Sequence, residues 1–234
     1  MGTRVPLILG FWLGFWLLTA AEPASARAPV VVELFTAQGC AACVKAGDLT
    51  ADLAARPHVL VLTFDVDYWD YLGWQDTFAK SEFTARQRAY LKPLGVHDAY
   101  TPEIVVGGRQ EAPAVDPQGG DRLIQAALHA SQDPPQVVAS KTRVSVGSGR
   151  APKGGGEIWL VRYDPKAQSV TVKNGETRGS TIVEHNVVRE LIRLGAWRGK
   201  PRIYRLPAPA DDNLTSVVIV QGARGGPIIT ARTL

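Results

Sequence analysis

The sequence is poor in sulfur and has no clustered charge. It holds two cysteines, Cys40 and Cys43, and one methionine, Met1. A zinc site wants four Cys or His ligands. With no second cysteine pair, and with His58, His97, His129 and His185 spread without ligand spacing, the sequence offers no set of residues to build one. Lysine and arginine total 26 against 22 acidic residues, yet they form no basic run. The pI near 9.2 therefore implies loose attraction to anionic surfaces and no nucleic-acid partner. Beyond residue 21 no apolar stretch is long enough to span a bilayer. What is present, 45% hydrophobic and 21% charged residues, is the balance of a folded globular protein, so disorder is not expected.

The first residues have the pattern of a secretory signal peptide. Arg4 precedes the apolar run Val5–Ala21, and Ala24-Ser25-Ala26 supplies small residues for cleavage after Ala26. An uncleaved anchor is the competing reading, and Pro23 and the small residues favour cleavage. Removing residues 1–26 takes away Arg4 and Glu22, so the formal charge of +4 is unchanged. The expectation is a secreted or periplasmic protein with no stable membrane insertion after cleavage. In that oxidising compartment a bond between cysteines only two residues apart closes too small a loop to stabilise the fold much. The pair is better suited to chemistry than to stapling.

Val30–Phe35 is a short apolar, β-branched run that predicts a buried strand. Thr36–Gly39 turns the chain. Val44, Leu49, Leu53 and Ala54 then recur at helical spacing from Ala41 to about Arg56, and Pro57 stops the run. Val59–Phe64 predicts a second buried strand, so the chain opens with a βαβ unit. Residues of about 66–94, crowded with Tyr68, Trp69, Tyr71, Trp74, Phe78, Phe83 and Tyr90, read as a helical aromatic insertion. Thr101-Pro102 leads into a strand, Glu103–Val106, and Gly107-Gly108 is a hairpin signal. Asp121–Ser131 has helical spacing. This order predicts one layered α/β domain over residues 27–133.

Asp133-Pro134-Pro135 reads as a linker. Beyond it, over 136–234, short strand-like runs separated by turn signals predict a mainly antiparallel, sandwich-like β domain. The runs are Val137–Val146, Glu157–Tyr163, Ser169–Lys173, Arg202–Leu206, Thr215–Gln221 and Pro227–Arg232. Thr181–Gly195 fits either a helix or a strand, and its neighbours favour strand.

Gly39-Cys40-Ala41-Ala42-Cys43 places a Cys-x-x-Cys motif where strand meets helix. Free backbone N–H groups and the positive dipole end at a helix start stabilise a thiolate. Cys40 is thus expected to be the accessible, partly ionised nucleophile, and Cys43, one turn in, the shielded resolving thiol. The reading favoured by these residues is dithiol-disulfide exchange with protein thiols. It needs a redox partner protein, because the chain has no third cysteine, and it calls for no organic cofactor and no resident metal. Three alternatives stay open: a Cu(I)-binding or copper-delivery protein using the same pair, an inert structural disulfide, and a non-catalytic adaptor that docks a partner.

The first strand, the cysteine pair, the helix and Thr101-Pro102 together resemble the thioredoxin superfamily. That resemblance implies a cis-proline at Pro102 packed on the dithiol, with the backbone of Thr101 pairing with a bound peptide. It also implies a buried carboxylate that moves protons, for which Glu33 is the first candidate and Asp65 the second. A closer resemblance is to a family of secreted bacterial proteins known as domain of unknown function 1223. It is carried by Val32–Cys40, Val66–Trp74, Phe83–Tyr90 and Tyr100-Thr101-Pro102, and runs from about Val30 to near Trp197. The family implies a thioredoxin-like fold and lends no reaction. Its members commonly have Pro after the second Cys, where this chain has Val44, so a less rigid helix start is expected. Tyr68, Trp69 and Trp74 are the candidates for contact with a client. Lys45 and His97 are weaker candidates near the site, since surface placement explains both.

Overall fold

The computed structural model describes Gly2, residues 27–130 and residues 133–234. The expected signal peptide, residues 1–26, lies outside the described residues apart from Gly2. The elements run in the order β1 (Val30–Thr36), α1 (Ala46–Ala54), β2 (Val59–Asp65), α2 (Ser81–Leu94), β3 (Glu103–Val106), β4 (Gln110–Pro113), α3 (Pro117–His129), β5 (Val137–Ala139) and β6 (Arg143–Val146). There follow β7 (Gly156–Asp164), β8 (Gln168–Thr171), β9 (Thr181–Glu184), β10 (Val187–Trp197), β11 (Arg202–Arg205), β12 (Thr215–Gly222) and β13 (Ile228–Thr233). The class is mixed α/β, with few helices and one large mixed sheet.

That sheet has eight strands in the order β13-β12-β7-β10-β2-β1-β3-β4. β1 and β2 are parallel, as the βαβ reading predicts, and β3 and β4 form an antiparallel hairpin. The sheet does not stop at the linker: β10 joins β2 in parallel through Val187 and Thr63. Asn186 secures the junction, its Nδ2 donating to the Val61 carbonyl at 3.0 Å. β5, β6 and β11 form a separate three-stranded antiparallel sheet, and β8 and β9 a hairpin.

The alternation along β1 shows how the core is layered. Val31 and Phe35 join an apolar cluster under α2 that extends through Leu62, Phe64, Val161, Val188, Val217 and Ile219. Val30, Val32 and Leu34 face α1 and α3 in a second cluster with Leu53, Ile104 and Ile124. A strand covered on both faces needs no polar side, which is why β1 reads as an almost unbroken apolar run. A third cluster, around Trp197, holds β6 and β11 against β7 and β12.

Three local expectations are corrected. The helix expected from Ala41 to Arg56 is a 3-10 turn over Ala41–Cys43, a break at Val44-Lys45, and then α1. The helix expected from Asp121 begins at Pro117, where Asp116 caps the Gly119 amide at 3.0 Å and proline occupies the first turn. The run Val137–Val146 is two strands, because Ser140–Thr142 turn back on themselves and Ser140 N bonds Arg143 O at 2.8 Å. The ambiguous Thr181–Gly195 is strand, divided between β9 and β10.

Candidate functional site

Cys40 and Cys43 follow β1 after the turn Ala37–Gly39 and are joined by a disulfide with Cα atoms 5.2 Å apart. Cys40 N donates to Ala37 O at 3.2 Å and Cys43 N to Cys40 O at 3.0 Å, which folds the pair into its tight turn. Because this turn holds three residues and α1 starts only at Ala46, Cys40 does not stand on the N-terminus of a long helix. The expected help from a helix dipole is reduced accordingly. The expected contrast in exposure is absent as well, since Cys40 is 1% exposed and Cys43 2%. Between them, Ala41 and Ala42 face solvent.

The cover comes from the loops that the sequence singled out. The Thr101-Pro102 peptide is cis, and the Thr101 carbonyl oxygen lies 3.8 Å from Cys40 Sγ. The Thr101 hydroxyl accepts the indole N–H of Trp69 at 2.8 Å. Trp69 packs on the cluster that contains both cysteines, and its Cβ stands 3.6 Å from where a Cβ on Gly39 would be. Tyr68 donates its hydroxyl to Gln87 Oε1 at 3.2 Å, and burial pushes that hydroxyl up to about 12. Gln87 in turn donates to Tyr100 O at 2.8 Å and to Glu103 Oε2 at 2.7 Å. Burial raises Glu103 to about 7, against the pull of that hydrogen bond. Trp74 instead donates to Gln38 Oε1 at 3.0 Å, away from the Thr101 loop.

Glu33 points inward, on the face of β1 that lies under α2. Its Oε1 accepts from Arg86 Nε at 2.6 Å, and its Oε2 is hydrogen-bonded to the Tyr90 hydroxyl. Gln221 completes the network, bonding both Arg86 and Tyr90. Both carboxylate oxygens are therefore committed, one to a buried ion pair with Arg86 and the other to the Tyr90 hydroxyl. Asp65, the second candidate, is fully buried on the opposite face of β2. Lys45 and His97 are exposed.

Sequence reasoning missed the residues that tie down the segment before Cys40. Gln38 N donates to Asp76 Oδ2 at 2.6 Å, and Gln38 O accepts the Thr177 hydroxyl at 2.7 Å. Gln38 Oε1 accepts Thr77 N at 3.2 Å as well as the Trp74 indole. Its place in the Val32–Cys40 string, two residues before Cys40, is the signal that could have flagged Gln38; Thr177, across the linker, carried none. Among the described residues no three or more His, Cys, Asp or Glu side chains converge as a metal site, and no helix is long and apolar enough to cross a membrane.

The family profile described as "Protein of unknown function (DUF1223)" matches residues 31–221. The chain belongs to that family. The match spans both the cysteine pair and most of the β-rich half, so the continuous sheet lies largely within the family's common part. A crystal structure of a protein from Agrobacterium tumefaciens is similar over 89% of this chain and 95% of its own length, with 31% identity and a TM-score of 0.70. HBP35 of Porphyromonas gingivalis shares the fold at 12% identity, with a TM-score of 0.56 over 91% of this chain and 76% of its own. No curated protein matches.

Proposed function

We propose that this DUF1223 member is a secreted or periplasmic thiol-disulfide oxidoreductase of thioredoxin-like fold, with the aromatic segment between β2 and β3 as its helical insertion. The observation that carries the reading is the Cys40 sulfur beside the backbone carbonyl of Thr101, 3.8 Å away. A peptide chain entering there can pair with the Thr101 backbone while its own sulfur meets Cys40. In the reducing direction, the Cys40 thiolate attacks a client disulfide, forms a mixed disulfide and expels one client thiolate. Cys43 then attacks the Cys40 sulfur and releases the second client thiol, leaving Cys40 and Cys43 oxidised. Two electrons and two protons pass from the pair to the client, and a partner protein returns them; the oxidising direction is the reverse. Neither organic cofactor nor metal enters these steps.

The oxidised pair is closed, so exchange requires Trp69 to swing off Thr101 and leave that backbone open to the client. Of the three aromatic candidates, Trp69 makes the 2.8 Å hydrogen bond to Thr101, the residue beside the disulfide, and we assign it to client contact ahead of Tyr68 and Trp74. Glu33, locked to Arg86, supports the fold beneath the site. The test is trapping in the native compartment. A Cys43→Ser variant should accumulate mixed disulfides through Cys40, and Cys40→Ser should accumulate none. Absence of adducts in Cys43→Ser, with the folded protein present, refutes the exchange reading.

A further inference from the structure

A second buried polar cluster lies on the other face of β2, and the steps above do not use it. Asp65 at the end of β2 and Glu184 at the end of β9 are 0% and 3% exposed. Their carboxyl groups meet within hydrogen-bonding reach, and none of the four oxygens has a donor. Two carboxylates cannot touch in an apolar interior with both charged, because nothing there offsets the repulsion or the lost hydration. A proton or a cation has to stand between them. Gln38 decides which. Its side chain is fully buried, and its Oε1 is fixed by the Trp74 indole and the Thr77 amide, so its NH2 group is the end turned to the acids, a buried donor with no partner beside four acceptors that also have none. An amide N–H faces an acceptor and repels a metal ion.

We propose that Asp65 and Glu184 share one proton, and that this acid pair latches the β8–β9 hairpin onto the segment that carries Cys40 and Cys43. The hairpin touches that segment on both sides of the dithiol. Ahead of it, Gln38 turns its side-chain amide towards the pair and takes Thr177, in the loop between β8 and β9, on its carbonyl. Behind it, α1 lies so close to β9 that a Cβ on Gly47 would fall 1.8 Å from Val183 O. Other charges facing the pair are few. Asp76 raises both acids, with Asp70 behind it, and Arg189 on β10 pulls Asp65 down. Lys80 turns its ammonium to the Arg189 carbonyl, and only its backbone N–H meets Asp65 O, at 3.4 Å. Burial first, and then Glu184, push Asp65 well above the carboxylate range, and burial pushes Glu184 up to about 7. Both shifts favour a pair that keeps a proton, with any remaining charge facing the Gln38 amide.

The latch itself stands without the exchange reading; its effect on the dithiol gains functional meaning only with it. Infrared spectroscopy of the full mature chain at about pH 8 should show the carbonyl stretch of a neutral carboxylic acid. Asp65→Asn/Glu184→Gln should abolish it, and absence of the band from the unaltered protein overturns the shared proton. Reduction of the disulfide by a water-soluble phosphine reads the latch. Glu184→Ala should speed it by about tenfold, since it leaves Asp65 buried without a partner. Glu184→Gln, which still offers Asp65 an N–H, should stay within about twofold of the unaltered chain. Equal rates in all three overturn the latch, and equal acceleration by both variants makes the contact one of packing alone. A rise in Tm on adding Ca2+ at about pH 8 that Glu184→Gln removes replaces the proton with a cation. An intact acid band beside a Cys43→Ser variant that traps no client refutes the exchange reading and leaves the pair standing.

Discussion

Trp69 and Thr101 are joined by an indole-to-hydroxyl hydrogen bond of 2.8 Å, and the same threonine sets its carbonyl 3.8 Å from Cys40 Sγ. One residue thus holds the lid and stands beside the sulfur. Trp69→Ala should accelerate reduction of the disulfide by a phosphine by about tenfold, because access to sulfur sets the rate once the attacking reagent is fixed. Thr101→Val, which removes only the hydroxyl, should give a smaller acceleration at a stability cost of about 1 kcal/mol. Stopped-flow reduction monitored by tryptophan fluorescence measures both, and unchanged rates would show that Trp69 is no barrier.

The Glu33–Arg86 pair should behave as a structural element. Arg86→Ala leaves a buried carboxylate without its cation and should cost about 3–5 kcal/mol in denaturant unfolding. Tyr90 and Gln221 lose a shared partner at the same time. The reduction potential of Cys40–Cys43 should stay within about 15 mV of its original value, half the interval that corresponds to a tenfold change in equilibrium constant. A larger shift would mean that Glu33 acts on the dithiol.

Stability should fall as pH rises from about 4.5 through about 7. Glu103 has its folded value raised to about 7 by burial, whereas in the unfolded chain it titrates near about 4.3. The folded state therefore holds more protons than the unfolded state across that window. The stabilising term is whole below the unfolded value and is lost as pH climbs through the folded one. Glu103→Gln should remove on the order of 1–2 kcal/mol of this slope, allowing for solvent screening. Thermal unfolding from about pH 4 to about pH 8 checks the sign. A slope unchanged by the substitution would rule out Glu103 as its source.

Gly47→Ala is the sharpest steric test. Its new methyl would fall 1.8 Å from Val183 O, a backbone atom that cannot turn away. Overpacking of this kind should cost about 1–3 kcal/mol, with faster hydrogen exchange confined to β8 and β9. Uniform exchange across the molecule would show that the α1–β9 contact is not local.

The sequence displayed most of what lies along the chain and little of what lies across it. β1 and β2 were legible as apolar runs because strands covered on both faces carry no polar alternation. The cysteine pair and Thr101-Pro102 were legible because each is a short string with its own chemistry. The start of α3 was not, since Gly119 and Gly120 are poor helix formers and the Asp116 cap with Pro117 outweighs them. The break at Val44-Lys45 also escaped the periodicity, which counts apolar positions and not hydrogen bonds. Val187 against Thr63, Thr177 on Gln38 and Glu184 on Asp65 all join residues more than a hundred positions apart, beyond the reach of any local pattern.

The join between β2 and β10 makes the two halves unsuited to trade as cassettes. Cut at Asp133, β2 becomes an outer strand whose open N–H and C=O groups invite foreign chains. The oily layer under α2 forfeits Val161, Val188, Val217 and Ile219 in the same stroke. Any graft that swaps the tail must first rebuild a neighbour for Thr63.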